Sequence, residues 1–310
     1  MQHPIVKIDN LSHRYSTSWA IRDINIEINK KGIYGLLGSN GAGKSTTMNI
    51  LCGVLNQTKG EVQINGINLR KKPIDAKKQI GFLPQVAPLY LDLTVYEYLL
   101  YCARLREMNK SAIPAALEEV MNKCGIVQVR SRLLKNLSSG YRQRVGIAQS
   151  IIHKPAVVVL DEPTNGLDPV QIIEVRNLIK EIAHERTVIL SSHILSEIQL
   201  LCQEIIMVEQ GQLVFCDSME AFNNYIAPQS ILLEFENSPT IEALSVIKGV
   251  NRVERLTPKS FRIFYDGSKT VSEMIISTSV QNGWRLTELV IEKNSIDEIF
   301  KQLTKKAINN

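Results

Sequence analysis

The chain reads as an α/β protein: a parallel-sheet domain with a mainly helical insertion, followed by a small α+β domain. Three observations predict this. Two uninterrupted apolar runs, AVVVL (156–160) and TVILSS (187–192), suit strands buried on both faces of a parallel sheet. A glycine-rich loop, GSNGAGKST (38–46), sits between an apolar run (Ile33, Tyr34, Leu36, Leu37) and a helical pattern. Past Pro228 the order of short patterns becomes strand, helix, strand, strand, helix, strand, which is a ferredoxin-like order.

The elements follow in turn. IVKIDNL and WAIRDINIEI read as strands, with Ile24, Ile26 and Ile28 alternating against Asn25 and Glu27, so one face is solvated. The loop leads into a helix over 45–55. GEVQING holds a strand pair turned by Asn65-Gly66. Thr94 opens a helix with Glu97 three residues on, a capping box, and Val95, Leu99, Cys102 and Leu105 mark its apolar stripe. A second helix begins near Pro114 and stops at Gly125; a third runs over 139–153 and ends before Pro155. These three make a helical insertion over about 86–153 within a domain of residues 1–227. A further helix opens at Asp168-Pro169. The second domain, 228–310, reads ILLEFE, PTIEALSVI, NRVERL, FRIFYDG, VSEMIISTSVQNG and RLTELVIEK, then a terminal helix SIDEIFKQLTKK. It carries no catalytic constellation.

Composition bounds the function. The chain has 310 residues, 44% hydrophobic and 22% charged, which suits a globular protein. No apolar run approaches the roughly 18 residues of a membrane span, and the N-terminus lacks a signal-peptide pattern, so the expected location is the cytoplasm. Five scattered cysteines with no C-x-x-C pair read as reduced thiols. The net charge of +5 includes a basic run, LRKKPIDAKK (69–78). A solvated face is its default reading, and attraction to anionic lipid headgroups is the alternative. No aromatics interleave with it, so nucleic-acid binding lacks support.

The loop carries the chemistry. Gly38, Ser39, Asn40, Gly41, Ala42, Gly43, Lys44, Ser45 and Thr46 fit G-x-x-x-x-G-K-[ST]. The glycines let successive N–H groups turn toward phosphate oxygens, and the following helix adds its positive end. Lys44 reaches the β- and γ-phosphates, the Ser45 hydroxyl suits Mg²⁺, and Thr46 lies near the α-phosphate. VVVLDE (157–162) ends an apolar strand in two carboxylates at the same sheet edge. Asp161 suits Mg²⁺, and Glu162 suits polarisation of the attacking water. His193 ends the next apolar strand, where it can meet the γ-phosphate and orient Glu162. Gln85, between IGFLP and the insertion, offers a neutral amide to sense Mg²⁺ or the water. LSSGYRQR (137–144) opens a helix that Ser138 caps, with Gly140 leaving N–H groups accessible: a second phosphate-ready terminus. One nucleotide cannot easily use both termini of one molecule. A head-to-tail pair of copies resolves this.

With these residues in view, the chain resembles the ATP-binding subunits of ABC transporters over residues 4–222. GSNGAGKST is similar to the Walker A loop and VVVLDEP to Walker B. Gln85 sits at the Q-loop position. Leu137, Ser138, Ser139, Gly140 and Tyr141 stand where the signature motif belongs. NGLDP, with Gly166, Leu167 and Asp168, resembles the D-loop, and His193 the switch histidine. Tyr15 sits where the family stacks an aromatic ring on adenine. The signature departs from the usual L-S-G-G-Q: Ser139 and Tyr141 replace the first glycine and the glutamine.

The resemblance implies an ATPase using ATP and Mg²⁺. It would work as an ATP-sandwich dimer with itself or a paralogue, on the inner face of the cell membrane, beside a separate membrane permease. The Y-R-Q-R continuation and the SIDEIF ending resemble the subfamily paired with ABC-2-type exporters. The segment VAPLYLDLTVYEYL after Gln85 would then line the groove that receives a coupling helix. Two competing readings are a soluble ABC-type ATPase acting on ribosomes or DNA, and an ATP-gated regulatory clamp. A single cassette without sustained heptads opposes the first, and Glu162 opposes the second, since a clamp needs no base.

Overall fold

The computed structural model describes residues 3–192, 194–225, 230–266, 268, 270–292, 299–300 and 302–304. These residues divide into two compact units, one running to Met219 and one from Glu220 to Gln302, with Leu303 grouped with the first. The division comes earlier than the boundary read from the sequence.

The first unit begins with β1 (Val6–Tyr15) and β2 (Ser18–Ile28), an antiparallel pair. Ile24, Ile26 and Ile28 are buried as the alternation predicts. After β3 (Gly32–Leu37) and the glycine-rich loop comes α1 (Lys44–Leu51). This helix is shorter than expected because Gly53 adopts a left-handed φ of 66° and turns the chain away. β4 (Lys59–Ile64) and β5 (Ile67–Asn68) form the anticipated hairpin, with Asn65 and Gly66 both at positive φ. Together they complete a four-stranded antiparallel sheet of order β2-β1-β4-β5.

α2 (Pro73–Lys78) then leads to β6 (Ile80–Leu83). The insertion follows as α3 (Val95–Leu105), α4 (Ile113–Lys123) and α5 (Ser139–Ile151). The capping box of α3 is present in full. Its apolar stripe differs from the reading: Val95, Tyr98, Leu99 and Ala103 are buried, whereas Leu105 is 64% exposed. At the last turn of α3 that side chain meets a surface groove instead of the core.

β7 (Val157–Asp161), α6 (Pro169–Glu185), β8 (Thr187–Ser191), α7 (Leu195–Leu201), β9 (Glu204–Glu209) and β10 (Gln212–Ser218) complete this unit. The central sheet has the order β10-β9-β3-β8-β7-β6. β9, β3, β8, β7 and β6 run parallel, and β10 adds an antiparallel edge. Val157–Leu160 and Val188–Leu190 are buried on both faces, as their uninterrupted apolar character requires. One core joins the antiparallel sheet, α1 and the central sheet through Ile8, Ile24, Met48, Ile50, Val159 and Ile206.

The chain passes from one unit to the other within α8 (Met219–Asn223). The second unit holds β11 (Ser230–Phe235), α9 (Ile241–Ser245), β12 (Val250–Arg255), β13 (Ser260–Tyr265), α10 (Thr270–Gln281) and β14 (Leu286–Glu292). Its sheet order, β12-β13-β11-β14, is antiparallel throughout, the ferredoxin-like arrangement expected from the element order. Ile231, Leu233, Phe235, Phe261, Ile263 and Tyr265 form its core with Leu244 of α9 and Ile275 of α10. Of the predicted terminal helix, residues 299–300 and 302–304 are described and are helical; the rest of it lies outside the described residues.

Candidate nucleotide site

The parallel sheet collects its loops on one edge. β3 runs into the phosphate loop, β7 into Asp161 and Glu162, β6 into Gln85, and β8 into Ser192. Ligands bind at the carboxyl ends of strands in such sheets.

The loop needs its glycines. A Cβ at Gly38 (φ 154°) would fall 2.0 Å from the Val208 carbonyl oxygen. Gly43 (φ 110°) is the N-cap of α1, and no side chain caps that helix. The first N–H groups of α1 are therefore left to an anion. Lys44 Nζ donates to the carbonyls of Gly38 (2.8 Å) and Ser39 (2.9 Å), which holds the loop around its ammonium group. Burial pushes the Lys44 pKa down, while Glu162, Glu209 and Asp161 oppose that shift. Those carboxylates are near enough to be felt by the lysine. Ser45 is exposed and Thr46 half-buried. An uncapped helix start, an inward lysine and a facing acidic strand end fit a triphosphate with a divalent cation.

Asp161 Oδ1 accepts a hydrogen bond from Ser191 Oγ at 2.5 Å, across the last paired position of β7 and β8. Glu162 follows at φ 51°, a left-handed conformation uncommon outside glycine. Its N–H is held by the Ser191 carbonyl and hydroxyl oxygens, each at 3.2 Å. Such over-determined outliers cluster at functional sites. Gln85 is exposed in the loop after β6. His193 lies outside the described residues. Gly166 is at φ 72°, Leu167 N–H donates to the Thr164 carbonyl, and Asp168 caps α6 by accepting from Gln171 N–H at 2.9 Å. Tyr15, 52% exposed at the end of β1, meets His13 edge to face at 4.7 Å.

The signature segment begins α5, whose Gln143 Nε2 donates to the Pro163 carbonyl at 2.7 Å. No hydrogen bond among the described residues joins 137–141 to the phosphate loop. Ser138 caps α5, its Oγ accepting from Tyr141 N–H at 3.5 Å, and the Tyr141 hydroxyl accepts from Gln128 Nε2 at 3.0 Å. Ser138 and Ser139 are exposed, but Gly140 is buried, against the expectation of an open turn. A Cβ there would lie 2.6 Å from Gln171 Cδ, so the Gln171 side chain of α6 covers it.

Sequence reasoning missed Glu209. At the end of β9 it is only 5% exposed, and its carboxylate accepts from Ser39 N–H (3.0 Å) and Ser39 Oγ (2.6 Å). It thus fixes the start of the phosphate loop. A signal was available: EIIMVE, like VVVLDE, is an apolar run that ends in a carboxylate.

Comparison with known proteins agrees with this geometry. The ABC transporter family matches residues 21–165. The Bacitracin transport ATP-binding protein BcrA of Bacillus licheniformis is 31% identical, over 96% of this chain and 97% of its own. That match extends well past the first unit. The Lantibiotic transport ATP-binding protein SrtF of Streptococcus pyogenes is 35% identical over 72% of this chain and 97% of its own. Among solved structures, cbiO1 of Clostridium perfringens, part of the ABC transporter complex cbiONQ, superposes with a TM-score of 0.66 at 27% identity, covering 72% of this chain and 92% of that one. The phosphate loop, the acidic strand end and these relatives agree: the chain belongs to the ABC transporter family, as an ATP-binding, ATP-hydrolysing subunit that powers transport.

Proposed function

We propose that this subunit powers export through a separate, membrane-embedded ABC-2-type permease, as one half of an ATP-sandwich dimer. The convergence of the phosphate loop with Asp161 and Glu162 on one sheet edge carries the reading. In it, Gly38 to Thr46 hold the triphosphate, Tyr15 stacks on the adenine, and Ser45, Asp161 and Gln85 hold Mg²⁺. Bound Mg²⁺ would neutralise charge on the β- and γ-phosphates. Glu162 takes a proton from the attacking water, and His193 orients it. Residues 137–141 of the second copy close over the γ-phosphate, with 166–168 beside them.

The permease would dock beside the insertion. Exposed Val86, Tyr90, Leu91 and Tyr96, and the groove between Val54, Ile74 and Leu105, supply the apolar surface there. No helix among the described residues is long and apolar enough to cross a membrane, so the spanning part belongs to another chain in this reading. Bacitracin and lantibiotics, which name the relatives, are the first cargoes to test.

The test is affinity capture from membranes with the Glu162→Gln protein and ATP. Recovery of a multi-span membrane protein together with a second copy of this chain is expected. Recovery of ribosomes or DNA, with ATP hydrolysis intact in the unmutated protein, would replace export by a soluble ATPase role.

A further inference from the structure

Glu197, on α7, is 3% exposed, and its carboxylate gathers donors from three separate segments. Thr164 Oγ1 donates to Oε2 at 2.5 Å, and Ser192 Oγ donates to the same oxygen at 3.1 Å. Arg176 Nη2 donates to Oε1 at 3.1 Å and pairs its charge. A buried carboxylate is costly unless fully partnered, and an apolar core has no need of one here.

Each donor belongs to a segment near the candidate site. Thr164 lies two residues past Glu162, in the turn leading to 166–168. Ser192 follows β8, and its hydroxyl also accepts from Ile194 N–H at 3.0 Å. Arg176 is on α6, the helix capped by Asp168. The β7–β8 ladder fixes the spacing of these segments only as far as Asp161 and Ser191. Just past that pair Glu162 N–H still bonds Ser191, and beyond it the Glu197 carboxylate joins Thr164 to Ser192.

We propose that Glu197 is a positioning residue for ATP hydrolysis: it holds the turn carrying Glu162 at a fixed spacing from Ser192, just past the end of β8, without touching the nucleotide. This rests on the reading of Glu162 as the base. Thr164 and Ser192 act with it as the two hydroxyls that complete the bridge, and Arg176 supplies the counter-charge that holds the carboxylate in place.

The experiment measures steady-state hydrolysis and ATP affinity in the full chain. The variants are Thr164→Val, Thr164→Ser, Ser192→Ala and Glu197→Gln, with Glu162→Gln alongside. Thr164→Val keeps the shape and removes one donor. Its kcat should fall about tenfold or more, while ATP Kd stays within roughly twofold. Thr164→Ser, which restores the hydroxyl, should recover most of the rate, a recovery that general loosening of the fold does not predict. Ser192→Ala and Glu197→Gln should show the same split between kcat and Kd, and they decide the matter if Thr164→Val fails to fold. Wild-type kcat in the folded variants, or parallel loss of rate and affinity, overturns the proposal. Undiminished hydrolysis by Glu162→Gln overturns the base assignment instead, so the two failures are told apart.

Discussion

The central sheet of the first unit and the sheet of the second are built on opposite plans. In the first, β3, β8, β7 and β6 run parallel, so every carboxyl end falls on one edge. Four successive loops then bring a glycine-rich turn, two carboxylates, an amide and Ser192 to the same place. In the second, all neighbours are antiparallel, so strand ends alternate and the loops divide between two edges. Both plans bury an apolar sheet face under helices. Only the parallel plan concentrates polar groups at one edge, and the chemistry follows the topology. This comparison makes a sharp expectation: the first unit can lose its function without unfolding, and the second can unfold without loss of nucleotide binding.

The largest effect tests the first half of that statement. Lys44→Ala removes the ammonium group that donates to the Gly38 and Ser39 carbonyls. A charge-assisted contact inside a partly desolvated loop is among the strongest available, so ATP affinity should fall about a hundredfold or more. Thermal unfolding of either unit should change little. Unchanged affinity in calorimetric titration would sink the phosphate-loop assignment.

Phe261→Ala tests the second half. Phe261 is fully buried and packs edge to face on Phe235 with ring centroids 5.9 Å apart. Its truncation should cost about 3–5 kcal/mol, confined to the second unit. Hydrogen exchange should show β11 and β13 opening while ATP Kd holds. Loss of ATP binding on melting this unit would break the comparison.

The two units were not equally legible. Local signals gave the phosphate loop, the acidic end of β7, the cap of α3 and the Asp168 start of α6, because each is written within a few residues. The order of elements gave the second unit, because βαββαβ admits few sheet arrangements. What escaped depends on contacts between distant segments. Glu209 reaches Ser39 across 170 positions, and Glu197 collects residues from two strand ends and a helix. Gly140 reads as open in sequence, yet α6 covers it. Periodicity assigned Leu105 to the core, although α3 has run past its packing partners at that turn. A single sequence carries periods and caps, and it holds no record of which far-off side chain completes a buried polar group.

A pH experiment separates the units next. His153 follows α5, with Nε2 on the Ile80 carbonyl at 3.0 Å and Nδ1 buried without a partner among the described residues. Burial first, then the nearby Arg106 charge, pushes its pKa down from 6.5 to about 4. The folded pKa lies below the unfolded one, so the unfolded chain takes up the proton first. The stabilisation is present above about pH 6.5 and lost as pH falls toward 4, to the order of 3 kcal/mol. Denaturant titrations should show this loss in the first unit alone, and His153→Gln should flatten it. An equal loss in the second unit would mean that other groups dominate.

The smallest effect compares two helix caps. In the first unit, Thr94 Oγ1 accepts from Glu97 N–H at 3.2 Å, and Glu97 Oε2 accepts in return from Thr94 N–H at 2.8 Å. The backbone bond from Thr94, and then its hydroxyl, hold the Glu97 carboxyl below the usual carboxylate range. In the second unit, Thr240 accepts from Ala243 N–H at 3.3 Å, and alanine cannot reciprocate. Thr94→Ala removes the hydroxyl that bonds both Glu97 N–H and Glu97 Oε2, leaving only the backbone N–H of position 94 on that carboxylate, and should cost about 1 kcal/mol, while Thr240→Ala loses the weaker cap on Ala243 N–H and should cost about 0.5 kcal/mol. Each loss should register only in the transition of its own unit. Since α3 sits in the insertion proposed to face the permease, Thr94→Ala should also raise exchange at 95–98. If Thr240→Ala proves the costlier change, the reciprocal carboxylate adds little, and helix α3 is held by its buried face rather than by its cap.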